Sequence, residues 1–582
     1  MKKGQGRTEG GDGDVMPSAA TSARTRRSRA AASSSTVKKV EHFSKLSSAM
    51  KQAMEHALEN VIRLGDTDVF PRSFETSLLT DSKEQILELL GKIHGSFQDM
   101  LIAAPPVNDK VLAAVGYSGF RAVTQVDPVW NLYLLSLVIL LGPEIEVARV
   151  PVEKGVVHSY RFRRQKGDAH IFDGEIGWFS FQESCERLAR EHKFVLLTDI
   201  SDFYPRIYHH RLENALKKVT ANRDAVKRVI RLLTEFSGGV SYGLPVGGPA
   251  ARLLSELLLN STDRLLLAEG VKFARFVDDF RLFANSREEA HGLLVMLAQK
   301  MGESDGLSLQ KSKTRIMSTE EYLSHFNMKS DETERGDEEQ AVYRSFMSLK
   351  LHYDPYSESA NEDYEQLRES LRQFDVVGML AREMRKTQIE ESFIRKLVRS
   401  IKHLRTEARA ASVVSLADNL EILSPVFPLV MQVFASVASE LNEVSRSRML
   451  SAVKDLFLGK SHILNVPVNQ AHAIRVLALA LDEESEQILL RIYQQTSSIG
   501  VKRDVIIAMA NRDLAWFVSD RRRNYQNLSS WERRAVVAAS YILEDEGDHW
   551  RKKLTLGDFE SIIASWVSKN KVANNGQVKV PL

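Results

Sequence analysis

Two adjacent aspartates, Asp278 and Asp279, interrupt an otherwise apolar segment, FVDDF. Residues 271–277 alternate in polarity as a strand does, and residues 280–284 read as the returning strand, which predicts a tight hairpin with both acids at its tip. Neighbouring carboxylates repel each other unless a cation neutralises them, and a divalent metal ion is the usual reason to keep such a pair. Ordinary turn chemistry is the alternative, because Asp is also common in turns.

A third acid, Asp199, ends a second predicted strand. Residues 194–198 (FVLLT) are a short apolar run typical of a strand buried on both faces, and Pro205 bars a regular strand beyond them. If this strand lies beside the hairpin, Asp199, Asp278 and Asp279 meet at one edge of a sheet and can hold two divalent ions. Two such ions clamp the attacking and leaving oxygens of a phosphoryl transfer.

Two further segments could serve such a site. Residues 241–260 (SYGLPVGGPAARLLSELLLN) contain Gly247 in a glycine- and proline-rich stretch whose backbone can approach a ligand closely. Residues 307–316 contain Lys311 and Lys313, and a lysine near the site could neutralise or protonate a departing pyrophosphate. An ordinary loop before a helix and a solvated lysine pair are the alternatives.

In this order the four segments resemble the palm motifs of reverse transcriptases. The matching residues are Asp199 with Phe203, Tyr204 and Pro205, then GLPVGGP, then FVDDF, then Lys313 with Thr314. The resemblance implies that the three aspartates are the catalytic acids and bind Mg²⁺, with Mn²⁺ as an alternative. It also implies that Lys313 is a general acid, and that Tyr204, beside Phe203, is a steric gate favouring deoxynucleotides. The second motif departs from the templated enzymes, because Val246 replaces a polar side chain that would contact the template or nascent pair.

Less specific sequence similarities indicate one branch of the reverse transcriptases. Residues 119–151, 157–164 and 200–216 are similar to bacterial defence reverse transcriptases of the abortive-infection or "unknown group" type. This likeness implies a right-hand polymerase with α/β fingers and a ferredoxin-like, antiparallel palm, followed by an all-α, HEAT-like repeat domain in place of the thumb. It also implies DNA synthesis without a template, initiation on a protein hydroxyl, a single-stranded DNA product and a homo-oligomer.

The predicted fingers contain a basic cluster. Alternation along residues 159–163 (SYRFR) would put Arg161 and Arg163 on one face, where they could hold an incoming triphosphate by bidentate contacts. A solvated strand edge is the alternative. Asp127 and Trp130 are better explained as residues that cap and pack a helix starting near Pro128.

Composition limits the class of protein. The chain has 582 residues and a net charge of +3, so nucleic-acid affinity must come from local patches. Cys185 is the only cysteine, which excludes internal disulfides and suits a reducing cytoplasm. The apolar run at 132–141 is about half a membrane span. We therefore expect it to be a buried helix, with no membrane partner.

Changes in sequence character suggest a domain division. We expect a disordered basic tail (1–40), N-terminal helices and fingers (41–198), a palm (199–325), an acidic linker (326–345), helical repeats (346–570) and a flexible tail (571–582). A plain helical bundle is the alternative to repeats. Arginines at 521–523, 533 and 534, with Tyr525 and Trp531, could hold a single-stranded product or be a solvated edge.

Three functions fit these residues. The first is an untemplated or weakly templated DNA polymerase in antiphage defence that uses deoxynucleoside triphosphates. The second is an RNA-templated reverse transcriptase that uses a bound RNA as its partner. The third is a catalytically idle scaffold that senses nucleotides, although the presence of Asp199, Asp278 and Asp279 argues against it.

Overall fold

The structure is a computed structural model and describes residues 41–165, 167–327, 337–349, 351 and 360–582. The predicted disordered tail (1–40) lies outside these residues. The first elements are α1 (Glu41–Ser44), α2 (Ser48–Leu64), α3 (Phe74–Asp81), α4 (Lys83–Gly95), α5 (Phe97–Ala103), β1 (Asp109–Val115), β2 (Gly119–Gln125) and α6 (Pro128–Ala148). Strands β1 and β2 form an antiparallel hairpin.

Helix α6 begins as its sequence predicts. Asp127 accepts hydrogen bonds from the backbone N–H groups of Val129 and Trp130, and Pro128 occupies the first turn, where its missing N–H costs nothing. The helix has 21 residues, so it extends well beyond the apolar run at 132–141. Within the described ranges, α6 is the one helix that length and composition alone would allow to cross a membrane. Most of its side chains are buried in the protein, as in the core helix of a globular fold.

The palm contains a four-stranded antiparallel sheet in the order β4-β5-β3-β6. Its elements are α7 (Trp178–Glu191), β3 (Phe194–Asp199), α8 (Phe203–Arg206), α9 (His209–Val219), α10 (Arg223–Phe236), α11 (Pro249–Ala268), β4 (Lys272–Phe276), β5 (Asp279–Ala284), α12 (Arg287–Gln299), β6 (Arg315–Ser318) and α13 (Thr319–Asn327). This order is that of a ferredoxin-like βαββαβ unit, as expected. The expected boundary at 198/199 falls inside β3, because the sheet includes all of that strand.

Successive side chains along a strand point to opposite faces of the sheet, so the two faces bury different residues. Leu196, Phe280 and Leu282 join the main core, which includes residues of α11 and α12. Val195 and Phe283 on the other face pack with residues of α7 and α13 in a smaller sheet core. Asp199 therefore ends a strand that is covered on both sides.

The rest of the described chain is helical. It consists of α14 (Asp337–Ser348), α15 (Ala360–Arg372), α16 (Val376–Glu383), α17 (Glu391–Ser400), α18 (Thr406–Ala417), α19 (Phe427–Val437), α20 (Glu443–Leu458), α21 (Pro467–Leu477), α22 (Glu483–Gln495), α23 (Ile499–Ala510), α24 (Ala515–Arg523), α25 (Ser530–Ala539), α26 (Glu544–Lys553) and α27 (Asp558–Ala573). Residues 328–336 of the predicted acidic linker lie outside the described residues. Helix α14 begins at Asp337, inside the predicted linker.

The helical region is divided between two hydrophobic cores. Buried residues from Phe346 onward form a distal core. The buried residues of the last helices, as far as Val580, belong to the main core together with α2–α6 and the palm. Helix α21 contributes side chains to both cores. Polar contacts strengthen this union: Trp566 Nε1 donates to Asp81 Oδ2 at 2.7 Å. The last helices are thus part of the main core and do not form a separate appendage.

The C-terminal residues are docked, contrary to the predicted flexible tail at 571–582. Val578 and Val580 are buried in the main core. Asn511 also pairs with the backbone of Val580, donating to its O at 2.8 Å and accepting from its N–H at 3.1 Å. Two apolar side chains near the end of the chain supply the burial that offsets the cost of ordering it.

Candidate active site

The three predicted acids meet at one edge of the palm sheet. Asp199 is the register partner of Asp279 in the antiparallel pair β3–β5, so the two face each other across neighbouring strands. Asp278 lies in the turn between β4 and β5, and its carbonyl accepts a hydrogen bond from the N–H of Ile200 at 3.3 Å. The hairpin and the strand that carries Asp199 are therefore joined directly at the acids.

The electrostatics of this edge are unfavourable for three charges. Burial, and then the negative charges of Asp199 and Asp279, raise the pKa of Asp278 to about 7. Burial also raises the pKa of Asp199, although Lys313 acts in the opposite direction. A site that resists ionisation of its own carboxylates is one that an added cation would stabilise.

Lys313 lies at this site. It ends the short helical turn Lys311–Lys313, and its ammonium donates a hydrogen bond to Asp199 Oδ2. The turn is fixed along β3, because Gln310 N–H donates to the carbonyl of Asp199 at 2.8 Å and the Thr198 and Thr314 hydroxyls pair at 2.8 Å. Burial opposes the charge on Lys313, but the three aspartates together raise its pKa. The predicted proton donor is thus held, charged, at the first acid.

The acids fit a divalent ion by chemistry but are not gathered into a finished ligand set. In the part of the chain that the structure describes, no group of three or more His, Cys, Asp or Glu side chains is arranged to hold a metal ion. Asp199 is instead paired with Lys313. Carboxylate oxygens are nevertheless the ligands that Mg²⁺ and Mn²⁺ prefer, and the repulsion on Asp278 is what such a cation would relieve. Asp199, Asp278 and Asp279 are therefore the residues that would hold it.

A cavity of about 410 Å³ opens beside Asp199 and Asp279. This volume lies in the range of small-ligand pockets, roughly 300–1,000 Å³. Its lining residues offer aromatic, cationic and polar surface and include Trp178, Phe181, Gln182, Arg281, Ser312, Lys313, Arg315 and Tyr322. Such a mixture suits a ligand that has both a planar ring and phosphates.

The two fingers arginines are not a clamp in this structure. Arg161 is buried, pairs with Glu146 at 2.5 Å, and donates to the carbonyl of Val150 at 2.9 Å. Arg163 is half-exposed and pairs with Asp173 at 3.1 Å. Their segment is not a strand, and its only ladder contact is an isolated bridge at Phe162. The interpretation of Arg161 as a triphosphate ligand is therefore wrong for this conformation.

The residues after Asp199 are more buried than expected. Phe203 is a main-core residue, only 3% exposed, so its predicted contact with a nucleotide is not supported. Tyr204 is partly buried against the apolar cluster that contains Val246, and burial raises the pKa of Tyr204. Among the two histidines that follow, His209 is buried with Nε2 at 2.7 Å from the Gly243 carbonyl, whereas His210 is exposed.

Gly247 makes its close approach to the protein itself. Its φ is +104°, and a Cβ there would lie 2.6 Å from Thr67 Oγ1 and 2.9 Å from Asp68 Oδ1. These atoms belong to residues 65–73, between α2 and α3, which we name the covering loop. Gly247 is thus required by chain packing, and its predicted role as a ligand-facing glycine is not supported.

The covering loop is held by both neighbouring regions. Asp68 forms an ion pair with Arg252 at the start of α11. His472 of α21 has Nε2 at 3.1 Å from the Val69 carbonyl, and burial lowers the pKa of His472 to about 4, so the neutral ring donates this bond. Val246 is 8% exposed in an apolar cluster with Phe70, Ala113, Val123, Val466 and Val468. The second palm motif is therefore covered by this loop and by apolar side chains from the helical region.

A buried ion cluster behind the hairpin was missed by sequence reasoning. Arg275 is fully buried and pairs with Asp263 at 2.6 Å and with Glu256 at 3.0 Å. Arg149 contacts the same Glu256 at 2.7 Å. The available signals were an arginine at an inward position of strand KFARF and a glutamate among the leucines of α11.

The C-terminal basic residues do not form the predicted surface for single-stranded product. Arg534 is buried between Asp127 at 2.7 Å and Glu560 at 3.4 Å, and Trp531 is fully buried. Arg521 and Arg522 are each paired with an acid. Most of this cluster serves packing.

Comparison with known proteins defines the class. Residues 151–341 match the family described as "Reverse transcriptase (RNA-dependent DNA polymerase)", and this segment includes the three aspartates and Lys313. The chain therefore contains a reverse transcriptase domain, which is a nucleotidyltransferase domain of the RNA-directed DNA polymerase type. Such polymerases generally use divalent metal ions. None of the curated proteins compared with the chain matched it.

Solved structures give a weaker likeness. A telomerase from Candida albicans, in complex with a TWJ fragment of telomeric RNA, is 10% identical with a TM-score of 0.28, over 70% of this chain and 69% of its own. Apo telomerase from Candida tropicalis is 10% identical with a TM-score of 0.27, over 72% and 71%. TM-scores this low do not establish a common fold.

Proposed function

We propose that this protein is a DNA polymerase of reverse transcriptase fold that adds deoxynucleotides without copying a template, in defence of a bacterial cell against phage. Asp199, Asp278 and Asp279 hold divalent ions, which supply Lewis-acid stabilisation of the transferring phosphoryl group when bound. Lys313 keeps a proton at Nζ beside Asp199 for the departing pyrophosphate. The nucleotide uses the cavity next to these residues, and Tyr204 remains the proposed steric gate.

The burial of the second palm motif is the observation that supports synthesis without a template. In templated enzymes a polar side chain at the position of Val246 would contact the template or nascent pair. Here Val246 is buried against Phe70, Val466 and Val468, and Gly247 faces the covering loop. To contact the second palm motif, a template strand would have to displace the apolar side chains packed over it. That displacement would cost the free energy that these side chains gain from burial.

The packing of the helical region supports one finer part of the proposal, the HEAT-like array. Several helices pack against their second neighbour, as α17 does with α19, α19 with α21, α21 with α23 and α23 with α25. This alternation is what a HEAT-like array requires. We propose such an array in place of a thumb, in a cytoplasmic homo-oligomer that holds a single-stranded DNA product. Light scattering of the purified chain measures the oligomer.

The decisive experiment is incubation of purified protein with deoxynucleotides and Mg²⁺, with and without added RNA, followed by sequencing of the product. We expect DNA without RNA, and loss of at least about 1,000-fold in rate for Asp199→Asn, because a metal-holding acid acts directly on the transition state. Asp202→Asn, three residues beyond Asp199 and 70% exposed, is the matched control.

Two other outcomes would select the alternatives. Product that forms only with added RNA and copies its sequence would favour an RNA-templated reverse transcriptase. Absence of product, together with phage protection by Asp278→Asn, would favour a catalytically idle nucleotide-sensing scaffold.

A further inference from the structure

The turn that carries Asp278 has an unfavourable backbone conformation. Val277 has φ +56°, the left-handed region, which a β-branched residue rarely adopts. An isolated turn of this sequence would relax to negative φ and would carry the next residue, Asp278, with it. Something must therefore hold Val277 in place.

Both backbone polar groups of Val277 are held by buried side chains. Its N–H donates to Ser159 Oγ at 2.9 Å, and its carbonyl accepts from Arg275 Nη1 at 2.8 Å. Ser159 and Arg275 are both 0% exposed. Water cannot replace either bond, because neither side chain is in contact with solvent.

The hydroxyl proton of Ser159 is used in another hydrogen bond, so the direction of the bond between Ser159 and Val277 is fixed. Ser159 Oγ donates to Glu256 Oε1 at 2.6 Å. Glu256 is fully buried but ionised, because although burial opposes its charge, Arg275 and Arg149 lower its pKa. A hydroxyl has one proton, so Ser159 can only accept from Val277. The glutamate thereby makes the serine an obligate acceptor for the turn.

We propose that Ser159 is a positioning residue for nucleotide addition, and that it acts with Glu256 and Arg275 to hold the Val277 turn so that Asp278 faces Asp199. The Asp278 carbonyl completes the link, since it accepts from the Ile200 N–H beside Asp199. This inference rests on the proposed polymerase function for its kinetic consequence only. Its effect on the position of Asp278 is independent of that function.

The test compares Ser159→Ala with Ser136→Ala in the full chain. Ser136 is also 0% exposed, but it donates to the Leu132 carbonyl of its own helix at 2.8 Å, away from the hairpin. The three measurements are Mn²⁺ affinity by electron paramagnetic resonance, the rate and KM of deoxynucleotide addition, and hydrogen exchange of peptides covering 272–284. None of the three needs a ligand of unknown identity.

We expect Ser159→Ala to weaken Mn²⁺ binding about 10-fold, as loss of an outer partner of a metal ligand does. We expect kcat to fall about 100-fold at unchanged KM, because a small displacement of a catalytic group has this effect. Hydrogen exchange should accelerate at 272–284 and nowhere else in the palm. Ser136→Ala should leave all three unchanged.

Two results would overturn the inference. One is that both variants bind Mn²⁺ equally well and exchange equally slowly at the turn. The other is faster exchange throughout the palm in Ser159→Ala, which would make the serine a general core residue. If the wild-type protein adds no nucleotide, the proposed function fails, whereas Mn²⁺ binding and exchange still decide the inference.

Discussion

Replacing Asp278 by asparagine should make the metal-free protein more stable at alkaline pH. The folded protein raises the pKa of this carboxyl from 3.8 to about 7, so folding disfavours its charged form. The shift is about 3 pKa units at 1.36 kcal/mol each, or about 4 kcal/mol as an upper value. Because Asp278 is half-buried, we expect a gain of about 2–4 kcal/mol for Asp278→Asn above pH 7.

The sign of the pH dependence follows from linkage. A carboxyl with a raised folded-state pKa binds its proton more tightly in the folded than in the unfolded chain, so wild-type stability falls as pH rises from about 4 to about 7. Asn has no such proton. The advantage of Asp278→Asn should therefore be full at pH 8 and should shrink to less than half at pH 5.

The assay is guanidinium unfolding followed by tryptophan fluorescence, in EDTA, at both pH values. Asp202→Asn, whose side chain is 70% exposed, serves as the control. It should change the free energy of unfolding by less than about 0.5 kcal/mol at either pH. The reasoning is refuted if Asp278→Asn is no more stable than wild type at pH 8, or if its gain is the same at pH 5.

Three further predictions concern the framework of the site. Arg275→Met should lower the free energy of unfolding by about 3–5 kcal/mol, because it leaves the buried Asp263 carboxylate unpaired, whereas Glu256 keeps Arg149. In the same denaturation assay, a loss as small as that of half-exposed Arg163→Met would contradict this. Gly247→Ala should lower the melting temperature more than Gly239→Ala, since both have positive φ but only Gly247 lies against other atoms; equal shifts would exclude a clash with the covering loop. Val580→Asp should destabilise the protein by at least about 2 kcal/mol, because it buries a charge at a 2% exposed site; unchanged melting would mean that the tail is not docked.

The acids could be predicted because their signal is local. A short apolar run that stops at Asp199, and alternating residues on both sides of Asp278 and Asp279, define strands and their ends without knowledge of any partner. The cap of α6 at Asp127 is equally local. The antiparallel palm order then followed from the resemblance, and the structure has that order.

The errors arose where a distant partner decides the role of a residue. Arg161 appears as a free cation in its own segment, but Glu146 in α6 binds it. Gly247 reads as a ligand-facing glycine, but the covering loop, some 180 positions earlier, occupies that space. Arg534 reads as part of a basic surface patch, but it is buried and pairs with Asp127, 407 positions earlier in the chain. Composition and periodicity contain no information about such pairings.

The shared core of the first and last helices has a consequence for synthesis on the ribosome. Asp81 is translated 485 positions before its partner Trp566. At roughly 5–20 residues per second, this separation takes on the order of 25–100 s. During that time the nascent chain exposes the apolar surface that α23–α27 later cover. The main core is therefore completed only after the final helices are translated, so we expect a chain truncated before them to expose apolar surface and to be open to proteolysis.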